Sequence, residues 1–174
     1  MEYYHEGQIM SEANYSAGEL NGVFVSYFRN GVVRSKGQFA NDQSVGHWEY
    51  RYSNNQLKEE GDFKAGYRIG LWKTYAENGK LSEETNYGET GKKVGVYKEY
   101  DLDENLLLEL TYKGEEIISF KTYDATGKVL SEGEKKRKEL EFERRFTNGV
   151  IQAKGNYYNG HRVGTWSFYN QYGI

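Results

Sequence analysis

Gly46-His-Trp-Glu-Tyr-Arg-Tyr-Ser-Asn-Asn55 is followed at a fixed distance by Gly70-Leu-Trp-Lys-Thr-Tyr-Ala-Glu-Asn-Gly79, with Gly, Trp and Asn in the same phase. Two more copies are Gly22-Val-Phe-Val-Ser-Tyr-Phe-Arg-Asn-Gly31 and Gly164-Thr-Trp-Ser-Phe-Tyr-Asn-Gln-Tyr-Gly173. Recurrence at a period of this size decides the fold, because each repeat is one supersecondary unit that buries its apolar face only against its neighbours. A residue that recurs in every copy is therefore evidence of architecture before it is evidence of chemistry.

Taking the leading glycine as phase zero, weaker copies begin at Gly95, Ile118 and Leu140, so that successive starts fall 22–25 residues apart. About seven units result, with a partial unit before Gly22 carrying Tyr3, Tyr4 and Gly7 in phase. The expectation is one repeat domain over 1–174 that begins and ends mid-unit, as an array cut from a longer one.

Each unit reads as two strands. The Asn-Gly pairs at 30–31, 78–79 and 148–149 predict two-residue hairpin turns, since both residues tolerate positive φ. Beyond the turn, position eleven is aliphatic (Ile9, Val33, Leu57, Leu81, Leu106, Val129, Ile151). Position fifteen is mostly small (Ala13, Gly37, Gly61, Thr85, Gly133, Gly155, with Leu110 the exception). Position seventeen is aromatic (Tyr15, Phe39, Phe63, Tyr87, Tyr112, Tyr157, with Lys135 the exception). These odd positions share one strand face, and the even positions between them are charged or polar. Position two supplies a ring from the other strand: Phe24, Trp48, Trp72, Tyr97, Phe120, Phe142 and Trp166. The small residue at position fifteen is expected to make room for that ring, as strand glycine often marks a close approach. Trp48, Trp72, Trp166, Gly37, Gly61, Gly155, Phe39, Phe63 and Tyr157 form the expected repeat core. The predicted fold is all-β, an elongated single-layer antiparallel meander of stacked hairpins. Only Leu130–Arg145 leaves a short helix or an irregular loop in competition.

Composition agrees. Hydrophobic residues make up 37% of the chain, yet aromatics reach 16% with 17 Tyr, and mean hydropathy is -0.91. A disordered chain of that polarity would be poor in aromatics. The net charge of -3 gives no general basic footprint for nucleic acid. Zero Cys excludes disulfides and thiolate metal sites. No secretory signal or membrane-spanning apolar run is visible, which favours the cytoplasm and leaves an exported mature form open.

The pattern Gly-x-Trp-x-x-Tyr-x-x-Asn-Gly, followed by Leu and Gly-x-Phe/Tyr, resembles the variant MORN (membrane occupation and recognition nexus) repeat. Matching residues are Gly46, Trp48, Tyr52, Asn54, Leu57, Gly61 and Phe63; Gly70, Trp72, Tyr75, Asn78, Gly79, Leu81 and Tyr87; and Gly164, Trp166, Tyr169 and Gly173. More narrowly, the chain resembles the bacterial YwqK-type antitoxins. The resemblance implies stacked hairpins in one twisted sheet and a role in interaction rather than catalysis. Its motif residues are structural, so no functional site carries over. Choline- and glucan-binding cell-wall modules also alternate Gly, Trp and Tyr, but most units here hold one Trp or none.

No catalytic set emerges. His5, His47 and His161 sit at unrelated phases, without metal-ligand spacing. The many carboxylates follow the alternation of solvent-facing positions. Gly88–Gly95 lacks phosphate-loop spacing, and the Asn14-Tyr15-Ser16 sequon places Tyr15 at a core phase. No cofactor and no metal is expected. The clearest departure is the basic run Lys135-Lys136-Arg137-Lys138, on the same predicted sheet edge as Arg68, Lys92, Lys93 and Arg162. The opposite edge carries Glu6, Glu77, Asp101, Asp103, Glu104 and Asp124. These eight cations are the candidate partner site, for another protein first and for a cell-wall glycan or anionic membrane as the alternative. Tyr27, Tyr75 and Tyr100 at position five are expected as exposed contact residues. Open sheet edges also predict edge-to-edge pairing of copies. Size-exclusion chromatography with light scattering should then show a concentration-dependent oligomer, and a strict monomer refutes that pairing.

Overall fold

A computed structural model describes residues 1–174, and every regular element is a β-strand. The strands are β1 (Glu2–Tyr3), β2 (Ile9–Ser16), β3 (Glu19–Tyr27), β4 (Val33–Ala40), β5 (Gln43–Arg51), β6 (Leu57–Lys64), β7 (Tyr67–Tyr75) and β8 (Leu81–Tyr87). They continue with β9 (Gly95–Tyr100), β10 (Leu106–Lys113), β11 (Glu116–Tyr123), β12 (Val129–Glu134), β13 (Glu139–Arg145), β14 (Ile151–Tyr158) and β15 (His161–Phe168). Strands β1 to β12 follow chain order in one antiparallel sheet, and β13–β14–β15 form a second. The chain divides into two compact units, Met1–Leu81 with Tyr87–Gly91, and Ser82–Asn86 with Lys92–Ile174.

In the first unit the core is a run of rings on one sheet face. Trp48 and Trp72 are 4% and 2% exposed. Phe39 meets Trp48 edge-on at 5.1 Å, and Phe63 meets Trp72 at 5.0 Å. Trp48 stands directly opposite Gly61 in the ladder, but its indole does not lie there. It covers Gly37 of the preceding hairpin, so closely that a Cβ on Gly37 would lie only 2.1 Å from the indole Cδ2. Trp72 covers Gly61 in the same way, and in the second unit Trp166 covers Gly155. The close approach expected from sequence is real, but under the tryptophans it joins one hairpin to the next; only Gly133, covered by Phe120 directly opposite it, is closed within its own hairpin. Trp48 Nε1 donates to the Gln38 carbonyl at 3.2 Å and Trp72 Nε1 to the Asp62 carbonyl at 3.1 Å. Where the next unit brings Phe24, Tyr97 or Phe120 instead of Trp, position fifteen is Ala13, Thr85 or Leu110, and glycine without a following tryptophan is kept only at Gly133.

The leading glycine aims the ring. Gly46 (φ 63°), Gly70, Gly95 and Gly164 (each φ 64°) are left-handed, a region that side chains with a Cβ avoid. At Gly46 the β4–β5 register jumps from Lys36↔Glu49 to Gln38↔Val45. The bulge sets three residues against Gly37 and turns the indole back across it.

The two kinds of turn exchange the roles expected of them. Two-residue turns with positive φ at both positions occur between units, at Ala17-Gly18, Asn41-Asp42, Ala65-Gly66 and Asn159-Gly160. The Asn-Gly pairs instead form three-residue loops in which only the glycine is left-handed: Gly31 N–H donates to the Phe28 carbonyl, and Phe28 N–H to Val32. The asparagine side chain is thereby released for another use. Asn30 donates to the Ser53 carbonyl, Asn54 to Glu77 and Asn148 to Gln171, each reaching the turn one repeat ahead.

The second sheet face carries a row of charges. In the second unit Glu84, Lys98, Glu109, Lys121 and Glu132 stand opposite one another in successive strands, alternating in sign. Opposite charges placed so contribute about 0.2–1 kcal/mol per pair. Repeat phase puts Glu143 next to Glu132, and Glu139 next to Glu134, so like charges would meet. The ladder stops there, leaving only an isolated Lys136–Glu139 bridge between β12 and β13. Leu140 also replaces the leading glycine, and its side chain is buried among Leu108, Leu110, Phe120 and Phe142. The segment 130–145 is thus two strands and a turn, not a helix. Phe120 and Phe142 are 4.8 Å apart, and Arg144 grips both carboxylate oxygens of Glu99.

Gly61→Ala tests the interlock. Its methyl group would displace Trp72, a cost of about 1–3 kcal/mol that exceeds the ~0.4–1 kcal/mol gained from a stiffer unfolded chain. Urea unfolding followed by tryptophan fluorescence should show a lower midpoint, and an unchanged midpoint would contradict the interlock.

Candidate functional site

The structure divides the eight candidate cations by what holds them. In the first unit, β7 presents Arg68 to Glu59 on β6, with both guanidinium nitrogens on the carboxylate at 2.5 and 2.9 Å. The same group lies 3.9 Å over the Trp72 ring. Burial is the largest single effect and acts to lower the Arg68 pKa, but the hydrogen bonds and charge of Glu59 together with Tyr87 outweigh it, and the net direction is upward. Arg68 thus serves as a lid on the ring stack.

The other seven lie in the second unit. Lys92 pairs with Glu115 at 3.2 Å, and Lys93 sits over the rings of Tyr97 and Tyr112. Lys135, in the slot where other units place a core aromatic, forms a half-buried 2.6 Å ion pair with Glu116. Arg162 lies 4.5 Å over Trp166, repeating the arrangement of Arg68 on Trp72. Lys136, Arg137 and Lys138 remain without a carboxylate partner. Arg137 takes a left-handed φ of 60° at the tip of the turn, and Lys138 approaches the Tyr158 ring at 6.0 Å. The basic run is thus one anchored lysine and three displayed cations.

Next to that turn, where the ladder between β12 and β13 fails, a cleft of about 620 Å³ opens. Glu132, Glu134, Glu139, Glu141 and Glu143 line it with Lys136. No three His, Cys, Asp or Glu side chains converge closely enough to hold a metal ion. His47 lies in the first unit between Glu60 and Asp62, at 3.6 and 3.3 Å.

The tyrosines at position five are not the open contact residues expected. Tyr27, Tyr75 and Tyr100 are half-buried. Tyr75 donates to Glu60 at 2.7 Å and Tyr100 to Glu84 at 2.8 Å, each acceptor belonging to the preceding unit. Burial first, and then the Glu84 hydrogen bond, push the Tyr100 phenol upward. The reason is register: position five stands diagonally across from position fourteen of the previous hairpin, where a glutamate recurs. Sequence reasoning also missed Glu59 and Glu116, which neutralise two of the candidate cations. Their signal was present as opposite charges at positions that a meander brings together, but it required the register.

A family model described as MORN repeat variant matches residues 1–17, 20–41, 44–65, 68–88 and 93–113. The chain belongs to the MORN repeat variant family. Among curated proteins none matches the sequence significantly. MORN repeats are commonly protein- or membrane-binding scaffolds and generally non-catalytic. The recurring MORN positions here (Gly, Trp, Asn) serve as bulge, interlock and turn clamp. The charged turn Lys136–Lys138 falls beyond the matched repeats.

The division among the cations is measurable. Lys135→Ser should lower stability by ~1–2 kcal/mol, between the values typical of exposed and buried ion pairs. Lys136→Ser with Lys138→Ser should leave thermal unfolding unchanged. Equal effects of the two would contradict the assignment.

Proposed function

We propose that the chain is a non-catalytic scaffold whose partner is another protein, with an antitoxin- or immunity-like role as the finer reading drawn from its resemblance to the YwqK-type antitoxins. The observation that carries this is the division of labour among side chains. Those that recur are engaged in holding strand to strand, whereas the charges left free stand at positions that do not recur. Lys136, Arg137 and Lys138 are displayed on one turn, beside the exposed Tyr158. Tyrosine adds contact area at little entropic cost. A regular frame that presents an irregular charged surface suits selective docking, because charge complementarity chooses partners and speeds encounter.

A protein partner is favoured over an anionic membrane by the acidic cleft beside the basic turn. Five glutamates lie there within the same strand pair. Lys136 lines the cleft with them, and charges closer than a Debye length of about 8 Å act together, so a uniformly anionic surface gains little. A protein that offers both signs can satisfy both.

The test uses the full chain as bait for cross-linking in its native host, then titrates any partner against the wild type and a Lys136→Ser, Arg137→Ser, Lys138→Ser variant. A stoichiometric protein complex, weakened about ten-fold or more by the triple substitution, is expected. Binding to anionic vesicles or cell-wall glycan with no protein complex would overturn the proposal.

A further inference from the structure

The first unit holds a second place where the repeat pattern lapses, and there the lapses converge. Position six is aromatic in three consecutive units, Tyr4, Phe28 and Tyr52, and again at Phe146. Position twelve is a cation only in the units of Phe28 and Tyr52, as Arg34 and Lys58. In the other units position twelve is Met10, Ser82, Leu107, Leu130 or Gln152, none of them charged. Each cation rests on the aromatic of its own unit: Arg34 is 5.9 Å from the Phe28 centroid and Lys58 is 5.5 Å from that of Tyr52.

A pocket of about 460 Å³ lies among Phe28, Arg34, Tyr50, Arg51, Tyr52 and Lys58. Its charge balance decides what it can hold. Arg51 is committed to Glu49 at 2.8 Å and to the Asn55 carbonyl, so it braces the turn. Glu59 is held by both nitrogens of Arg68. Glu77 stands on the lining as the one uncommitted carboxylate. Arg34 and Lys58 are exposed and have no carboxylate within ion-pair distance. Two uncommitted cations therefore face one uncommitted acid, across a floor of aromatic rings.

We propose that this pocket receives an acidic side chain of a protein partner, its carboxylate between Arg34 and Lys58 and its methylene groups against Phe28 and Tyr52. A cation seated on a ring keeps a defined direction, and the guanidinium of Arg34 offers a planar pair of donors that matches a carboxylate. The pocket lies apart in sequence from the basic turn of the second unit, so the two would give a partner separate points of contact. This assignment rests on the scaffold reading and supplies the chemistry that reading leaves open.

The experiment titrates the full chain with hexaglutamate, hexalysine and inorganic phosphate, following the aromatic and arginine side-chain resonances by NMR. Hexaglutamate should shift Phe28, Tyr50, Tyr52 and Arg34, with binding that weakens as salt is raised. Arg34→Gln with Lys58→Gln should weaken it about ten-fold or more, and circular dichroism should be unchanged because both side chains are exposed. Lys58→Glu should exchange the preference for hexaglutamate for one for hexalysine, a gain that unfolding could not mimic. Equal binding by the double variant, shifts confined to residues 135–138, phosphate binding as well as hexaglutamate, or no binding by the wild type would each overturn the assignment. If a cross-linked protein partner binds the double variant as well as the wild type, the pocket fails while the scaffold reading stands. If no protein partner exists, the scaffold reading fails by itself.

Discussion

The repeats that keep a tryptophan depend on one contact, the indole of one repeat laid over the glycine of the repeat before it. A sheet one layer thick gives a ring nothing to be buried against except the backbone of its own sheet. Removing the Cβ at Gly37, Gly61 and Gly155 lets an indole lie on that backbone. The left-handed glycine two residues before each tryptophan supplies the bulge that aims it, and the indole N–H finds a carbonyl just past the glycine in the first unit. Trp166 shows the cost when this is incomplete, since its Nε1 is buried with no partner. Such a group forfeits about 1–3 kcal/mol.

The same logic of reaching one unit back or ahead governs the polar groups. Asparagines in the loops clamp the next turn, tyrosines hold the glutamate of the previous hairpin, and alternating charges face each other across strands. Each is a modest interaction. Together they give the chain directionality, with every unit needing its neighbour, as expected of a repeat whose stability is a sum of unit and interface terms. The sheet ends where these terms turn unfavourable together, at like charges and a leucine in place of glycine.

Under the proposed scaffold role, docking falls to the side chains that this scheme does not use. The distinction matters most for charge. Arg68 and Arg162 look like surface cations in the sequence, yet they cover tryptophans, and Lys135 fills a core slot through its pairing with Glu116. The cations at Arg34, Lys58 and 136–138 cover no tryptophan and pair with no carboxylate, though Arg34, Lys58 and Lys138 lie near other rings. They occupy positions that differ from unit to unit, where a partner could be chosen without disturbing the frame.

The sequence by itself determined the meander, the repeat phase, the strand faces and the tryptophan–glycine core, because side-chain alternation and glycine tolerance are local properties written in residue order. Phase comparison also marked the basic run at 135–138 as exceptional. Only the tertiary structure decided which glycine each tryptophan covers, since Trp48 is adjacent to both Gly37 and Gly61 and a backbone bulge makes the choice. It likewise decided which charges are spent and which are free: an ion pair such as Arg68–Glu59 or Arg144–Glu99 depends on register and on the meeting of non-adjacent strands. Those are properties of position in space, and no local pattern encodes them.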